Sequence, residues 1–186
     1  MANRQTIEPQ LHLAIQAFDG REVAPLARFL DAVPYDAVLG DLLLEMATLT
    51  DRRMQVAATW LLKRAHEQGA MISVQQAAAM ITLLAQVTQW EAKLHLLQLF
   101  ATVPIPPTHV DRAFATFLEL THDENKFVRA WAYNGLYHLA TAVPVLQDEV
   151  AVLLLQAQQT EAASIRARIR NAVKGSIWFP PKVRSV

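Results

Sequence analysis

Cysteine is absent from this chain of 186 residues. That excludes a disulfide framework, a thiolate metal site and thiol nucleophilic chemistry, and it fits a reducing compartment. Glycine is scarce, with 5 residues, and no glycine-rich phosphate loop or serine nucleophile elbow occurs. Long apolar runs are missing too. Stretches such as Ala77 to Ala85 fall well short of the roughly 18 residues that a membrane span needs. Met1 to Glu8 is polar, with no apolar segment behind a basic start, so no signal peptide is expected and the expected location is the cytoplasm. Nor does any long stretch alternate apolar and polar residues as a half-buried strand would.

What the chain does have is alanine, leucine and glutamine in quantity, within a hydrophobic share of 53%, and this composition favours helix. Net charge is zero but uneven. Residues 1–60 carry 5 Lys/Arg against 8 Asp/Glu, residues 61–160 carry 6 against 8, and residues 161–186 carry 6 against 1. A basic end on an acidic body is the one electrostatic signal.

Periodicity and punctuation predict ten helices: Ile7–Phe18, Arg21–Val33, Tyr35–Thr48, one capped by Asp51 and running to His66, one capped by Ser73 and running to Val87, Trp90–Val103, Thr108–Thr121, Lys126–Val143, Leu146–Gln159 and Ala163–Gly175. Three of them end alike, at Val33-Pro34, Val103-Pro104 and Val143-Pro144. The even-numbered helices can be laid over one another with Ala57, Leu96, Ala132 and Ile169 in register, in steps of 39, 36 and 37 residues. Leu61, Phe100, Leu136 and Val173 then align one turn later. Such a period is that of two-helix solenoid units.

The stretch from Asp123 to Ala140 organises this pattern. It reads as a helix opening after a capping Asp, with Val128, Ala132, Gly135, Leu136 and Leu139 on one face. Gly135 costs about 1 kcal/mol against alanine in a helix interior, so a close helix crossing is expected there. Asp123, Val128, Arg129, Ala132 and Leu136 together resemble the second helix of a HEAT repeat. The resemblance implies that the Asp and Arg join neighbouring repeats through a hydrogen-bonded ladder. The other units depart from it: Thr160 stands at the Asp position before Arg166, Val87 before Lys93, and Met54 replaces the Arg. HEAT and armadillo repeats are not separable here.

The expected fold is therefore all-α, an α-α superhelix: a short right-handed solenoid of about five two-helix HEAT-like units. No glycine-rich linker divides the chain, which predicts one domain over 1–186. Within it, 7–33 is an N-terminal capping pair, 35–175 the HEAT-like pairs and 176–186 a tail whose Trp178 and Phe179 fold back as a cap over the tenth helix.

No catalytic constellation emerges, so an enzyme is not expected, and neither a cofactor nor a metal site is assigned. His122, Asp123 and Glu124 are consecutive, and three consecutive side chains of a regular helix cannot meet at one ion, so they read as a capped helix end. In a solenoid the second helices line the binding face. By register, Thr59, Gln98, Asn134 and Asn171 form an uncharged polar column on that face, joined by Tyr133 and Tyr137. This is the candidate surface for a protein or peptide partner. The basic patch of Arg166, Arg168, Arg170, Lys174, Lys182 and Arg184 is the second candidate surface, for phosphates or an acidic partner. The leading expectation is a non-enzymatic protein- or peptide-binding scaffold. The alternative is nucleic-acid binding through the basic end, whether as a simple phosphate-backbone binder or in the manner of HEAT-like alkylpurine DNA glycosylases. A neutral chain without aromatic residues among its basic ones weighs against that alternative. A third reading is self-association of acidic body and basic end, head to tail.

Overall fold

The computed structural model describes residues 3–179, and in it the chain is all-helical, with no strand among the described residues. It forms two compact units that meet in sequence between His109 and Val110. The first holds α1 (Arg4–Ala17), α2 (Ala24–Ala32), α3 (Ala37–Ala47), α4 (Arg52–Glu67), α5 (Val74–Leu84) and α6 (Trp90–Leu99). The second holds α7 (Val110–Leu120), α8 (Lys126–Ala142), α9 (Gln147–Thr160) and α10 (Ala163–Ala172). Short 3-10 turns at Pro107–His109 and Pro144–Leu146 lead into α7 and α9.

The helix starts follow their caps. The Asp51 carboxylate accepts from the Met54 amide at 3.0 Å. Ser73 and Gln76 cap each other reciprocally, each side chain taking the other's backbone N–H at 3.1 Å. One expected cap moves: α8 is capped by Asn125, which accepts from Phe127 N at 2.9 Å, while Asp123 accepts from Asn125 N at 2.8 Å. The acid closes the preceding turn and the amide opens the helix. Pro25 sits in the first turn of α2, where its missing N–H costs nothing, so α2 begins at Ala24 rather than Arg21. At the other end of α4, Gly69 takes φ +98°, a left-handed stop that a side chain would resist.

In the first unit α4 is the hub, packed against α1, α2, α3 and α6. α3 packs on α4, and Leu39, Leu42 and Leu43 of the one and Ala57, Leu61 and Leu62 of the other are all buried. Each such leucine contributes about 1.5–3 kcal/mol by leaving water. Gln55 is buried within this core, and both ends of its carboxamide are hydrogen-bonded. Nε2 donates to Leu49 O at 3.0 Å, while Oε1 accepts from the amides of Thr88 at 3.1 Å and Gln89 at 3.2 Å. One side chain thus ties the turn before α4 to the turn before α6.

In the second unit α8 packs against α7, α9 and α10. Its predicted face is buried as read: Val128, Ala132, Leu136 and Leu139 are all excluded from solvent. The close approach at Gly135 is made by Phe117 of α7, whose ring carbons lie 3.2 Å from where a β-carbon would stand. The register positions Ala57, Leu96, Ala132 and Ile169 are each fully buried.

Candidate functional site

The polar column read from the sequence is not an open row. Thr59 is fully buried because α4 is surrounded by helices. Its hydroxyl donates to Gln55 O at 2.7 Å and stands 3.1 Å from His95 Nδ1. One hydroxyl hydrogen cannot serve both, so the shorter bond takes it and His95 donates from Nδ1. Two turns further along α4, His66 Nε2 meets Oγ1 of Thr102, in the turn after α6, at 2.9 Å. Burial between α4 and α6, with the nearby Lys63 ammonium adding to it, brings the His95 imidazole down to about 4. Gln98 is half-buried on α6.

Asn134 and Tyr137 are also buried, against expectation. The tail accounts for Tyr137. The Trp178 ring stacks on it with centroids 5.2 Å apart and 17° between planes, and Trp178 Nε1 donates to Thr141 Oγ1 at 3.0 Å. Phe179 meets Trp178 edge to face. The expected fold-back of the tail aromatics is present, but Trp178 lands on α8 and covers a residue assigned to partner contact. Tyr133 stays half-exposed; its hydroxyl donates to Glu161 Oε1 at 3.4 Å, and burial raises its pKa, with the Glu161 charge adding to the shift. Asn171 is exposed on α10.

Glu161 has a second partner. Arg129 Nε lies 3.4 Å from the same Oε1, and Arg129 Nη1 donates to the backbone oxygens of Asp123 and Glu124 at 2.9 and 3.1 Å. Arg129 therefore links the start of α8 to the turn between α9 and α10, through an acid one residue beyond the Thr160 position.

The basic patch divides. Arg168 is committed to the Trp131 ring of α8, its guanidinium carbon 4.2 Å from the centroid, a cation–π contact that supplies the aromatic partner the sequence reading missed. Arg166 is half-buried, and its Nε has no hydrogen-bond partner. Arg170 and Lys174 are exposed. Lys182 and Arg184 lie outside the described residues. Among the described residues no three His, Asp or Glu side chains gather where a metal ion would sit, and no helix is long and apolar enough to cross a membrane.

A cleft of about 610 Å³ opens elsewhere in the first unit, and nothing in the sequence pattern pointed to it. Its wall is built from the turn after α1, the first turns of α4 and the start of α6, segments far apart in the chain. Arg21, Arg52 and Arg53 line it, with Phe18 and Val56 as its apolar part. Of the two acids present, Asp19 is held by amides, and Glu91 uses one oxygen while its Oε2 is buried without a hydrogen-bond partner. Asp19 accepts from the amides of Arg21 and Glu22, both at 2.8 Å, which hold its carboxyl below the usual range. Glu91 Oε1 accepts from Arg52 Nη2 at 2.6 Å. Arg21 and Arg53 make no side-chain hydrogen bond or salt bridge among the described residues.

No model of a known protein family matches the chain, and no curated protein or solved structure does either.

Proposed function

We propose that this chain is a non-enzymatic helical-repeat module, HEAT-like in construction, that holds a protein or peptide partner. One observation carries the reading: in each unit, helices of alternate rank, or the turns flanking them, are joined by side chains at offsets of 32 to 39 residues. Between α4 and α6 the links are Arg52 to Glu91, Thr59 to His95 and His66 to Thr102, offsets of 39, 36 and 36 residues. From α8 they are Arg129 to Glu161 in the turn before α10, at 32, and Trp131 to Arg168 on α10, at 37. Thr141 to Trp178, just past the end of α10, repeats the offset of 37. Arg129–Glu161 plays the part that the Asp–Arg ladder plays in HEAT repeats. Stacked helix pairs of this kind present successive side chains as a continuous recognition surface. Tyr133, aromatic and half-exposed, is the residue best placed to contribute.

The test is affinity capture of the tagged protein from a lysate with and without nuclease, repeated with Tyr133→Ala. A stoichiometric protein that survives nuclease and is lost with Tyr133→Ala supports the proposal. Capture unchanged by the substitution removes Tyr133 from it. A catch that vanishes with nuclease, together with salt-steep DNA binding lost on neutralising Arg170 and Lys174, replaces it with the nucleic-acid reading.

A further inference from the structure

We infer that the cleft beside α4 is a binding site for a phosphate monoester. The inference stands on that cleft alone and is independent of the partner proposed above. Three arginines line a single opening, delivered by two separate segments. Arg52 is already turned to Glu91 at 2.6 Å, and the Asp19 carboxylate is turned to backbone amides. Arg21, whose charge also acts on Asp19, and Arg53 make no direct ion pair among the described residues and are left for a ligand. Two arginine forks match the geometry of a phosphoryl group, whose charge at pH 7 is close to −2. A monocarboxylate would leave one fork unmatched. At about 610 Å³ the cleft is larger than a bare ion requires and lies within the range of small-molecule sites. Phe18 and Val56 lie beneath it, almost wholly buried, so the organic part of the ester is left the methylene stems of the arginines as its apolar contact.

The experiment titrates the full chain, at fixed ionic strength in sodium chloride, with sodium phosphate and separately with sodium phenyl phosphate. Backbone amide NMR shifts are followed at residues 19–22 and 52–56. The expected result is saturable binding confined to those residues, tighter for phenyl phosphate. Arg21→Gln with Arg53→Gln should weaken it about tenfold or more with the remaining spectrum unchanged. Arg21→Lys with Arg53→Lys should weaken it less, since charge survives while the fork is lost. Shifts that fail to saturate, or affinity unaltered in the glutamine variant, would overturn the site. Equal affinity for phosphate and phenyl phosphate would overturn the ester assignment.

Discussion

The link between Thr59 and His95 makes a quantitative prediction about acid. His95 lies between α4 and α6 with Nδ1 bonded to Thr59, and Lys63 and Glu67 are the charged side chains acting on it. Its value falls from 6.5 to about 4 in the folded protein. Between those two values the unfolded chain binds a proton that the folded chain refuses, so stability rises with pH across the window. The contribution is intact above pH 6.5 and is lost as pH falls toward 4. Going from pH 7.5 to 5.0 should cost about 2 kcal/mol through this residue alone, a large part of a domain's usual margin. Glu67, held below the ordinary carboxylate range chiefly by its hydrogen bond from Lys63, stays ionised at pH 5.0 and does not supply the loss. The assay is urea unfolding followed by circular dichroism at both pH values, for the wild type and for His95→Gln. Other titrating groups, His138 included, are common to both proteins and cancel in the difference. The wild type should lose about 2 kcal/mol more than the variant. Equal losses would refute the placement of a neutral imidazole between the helices.

Two further predictions rest on packing. Gly135→Ala should destabilise by about 1 kcal/mol in thermal melts: driving a methyl into the Phe117 ring costs about 1–3 kcal/mol, and the gain in helix propensity offsets only about 1. An unchanged or raised Tm would mean that Phe117 yields freely. Trp178→Ala should remove about 1–2 kcal/mol of stacking and hydrogen bonding and uncover Tyr137. Tyr137 should then be nitrated by tetranitromethane faster than in the wild type, read by peptide mass spectrometry; an unaltered rate would contradict the stack.

Local signals were legible because each is decided within a few residues. Ser73 with Gln76 spells a capping box, a valine before proline ends a helix, and Gly135 marks a crossing whatever the partner proves to be. The register of buried positions was also readable, since 3.6 periodicity identifies the face that must leave water. The number of neighbours around a helix is not local. Thr59 was read as outward-facing because one side of α4 suffices for one partner helix, yet α1, α2, α3 and α6 all press on it. Tyr137 was misread for a related reason: its cover, Trp178, arrives from 41 residues away. Arg168 looked solvated until Trp131 stood under it. The cleft assembles residues 18–21, 52–56 and 91, and no pattern confined to one helix carries that convergence.

Gln55 has a consequence for how the first unit comes apart. Its amide group is the common anchor of Leu49 on one side and of Thr88 and Gln89 on the other. Neither turn is held by its own sequence alone. When α4 unwinds from its first end, the backbone amides of the connection between α5 and α6 lose their side-chain acceptor at the same instant, and freeing that connection strands a buried carboxamide within α4. Two surface turns 39 residues apart in the chain therefore open as one event, and the boundary between what frays and what holds runs through a single side chain.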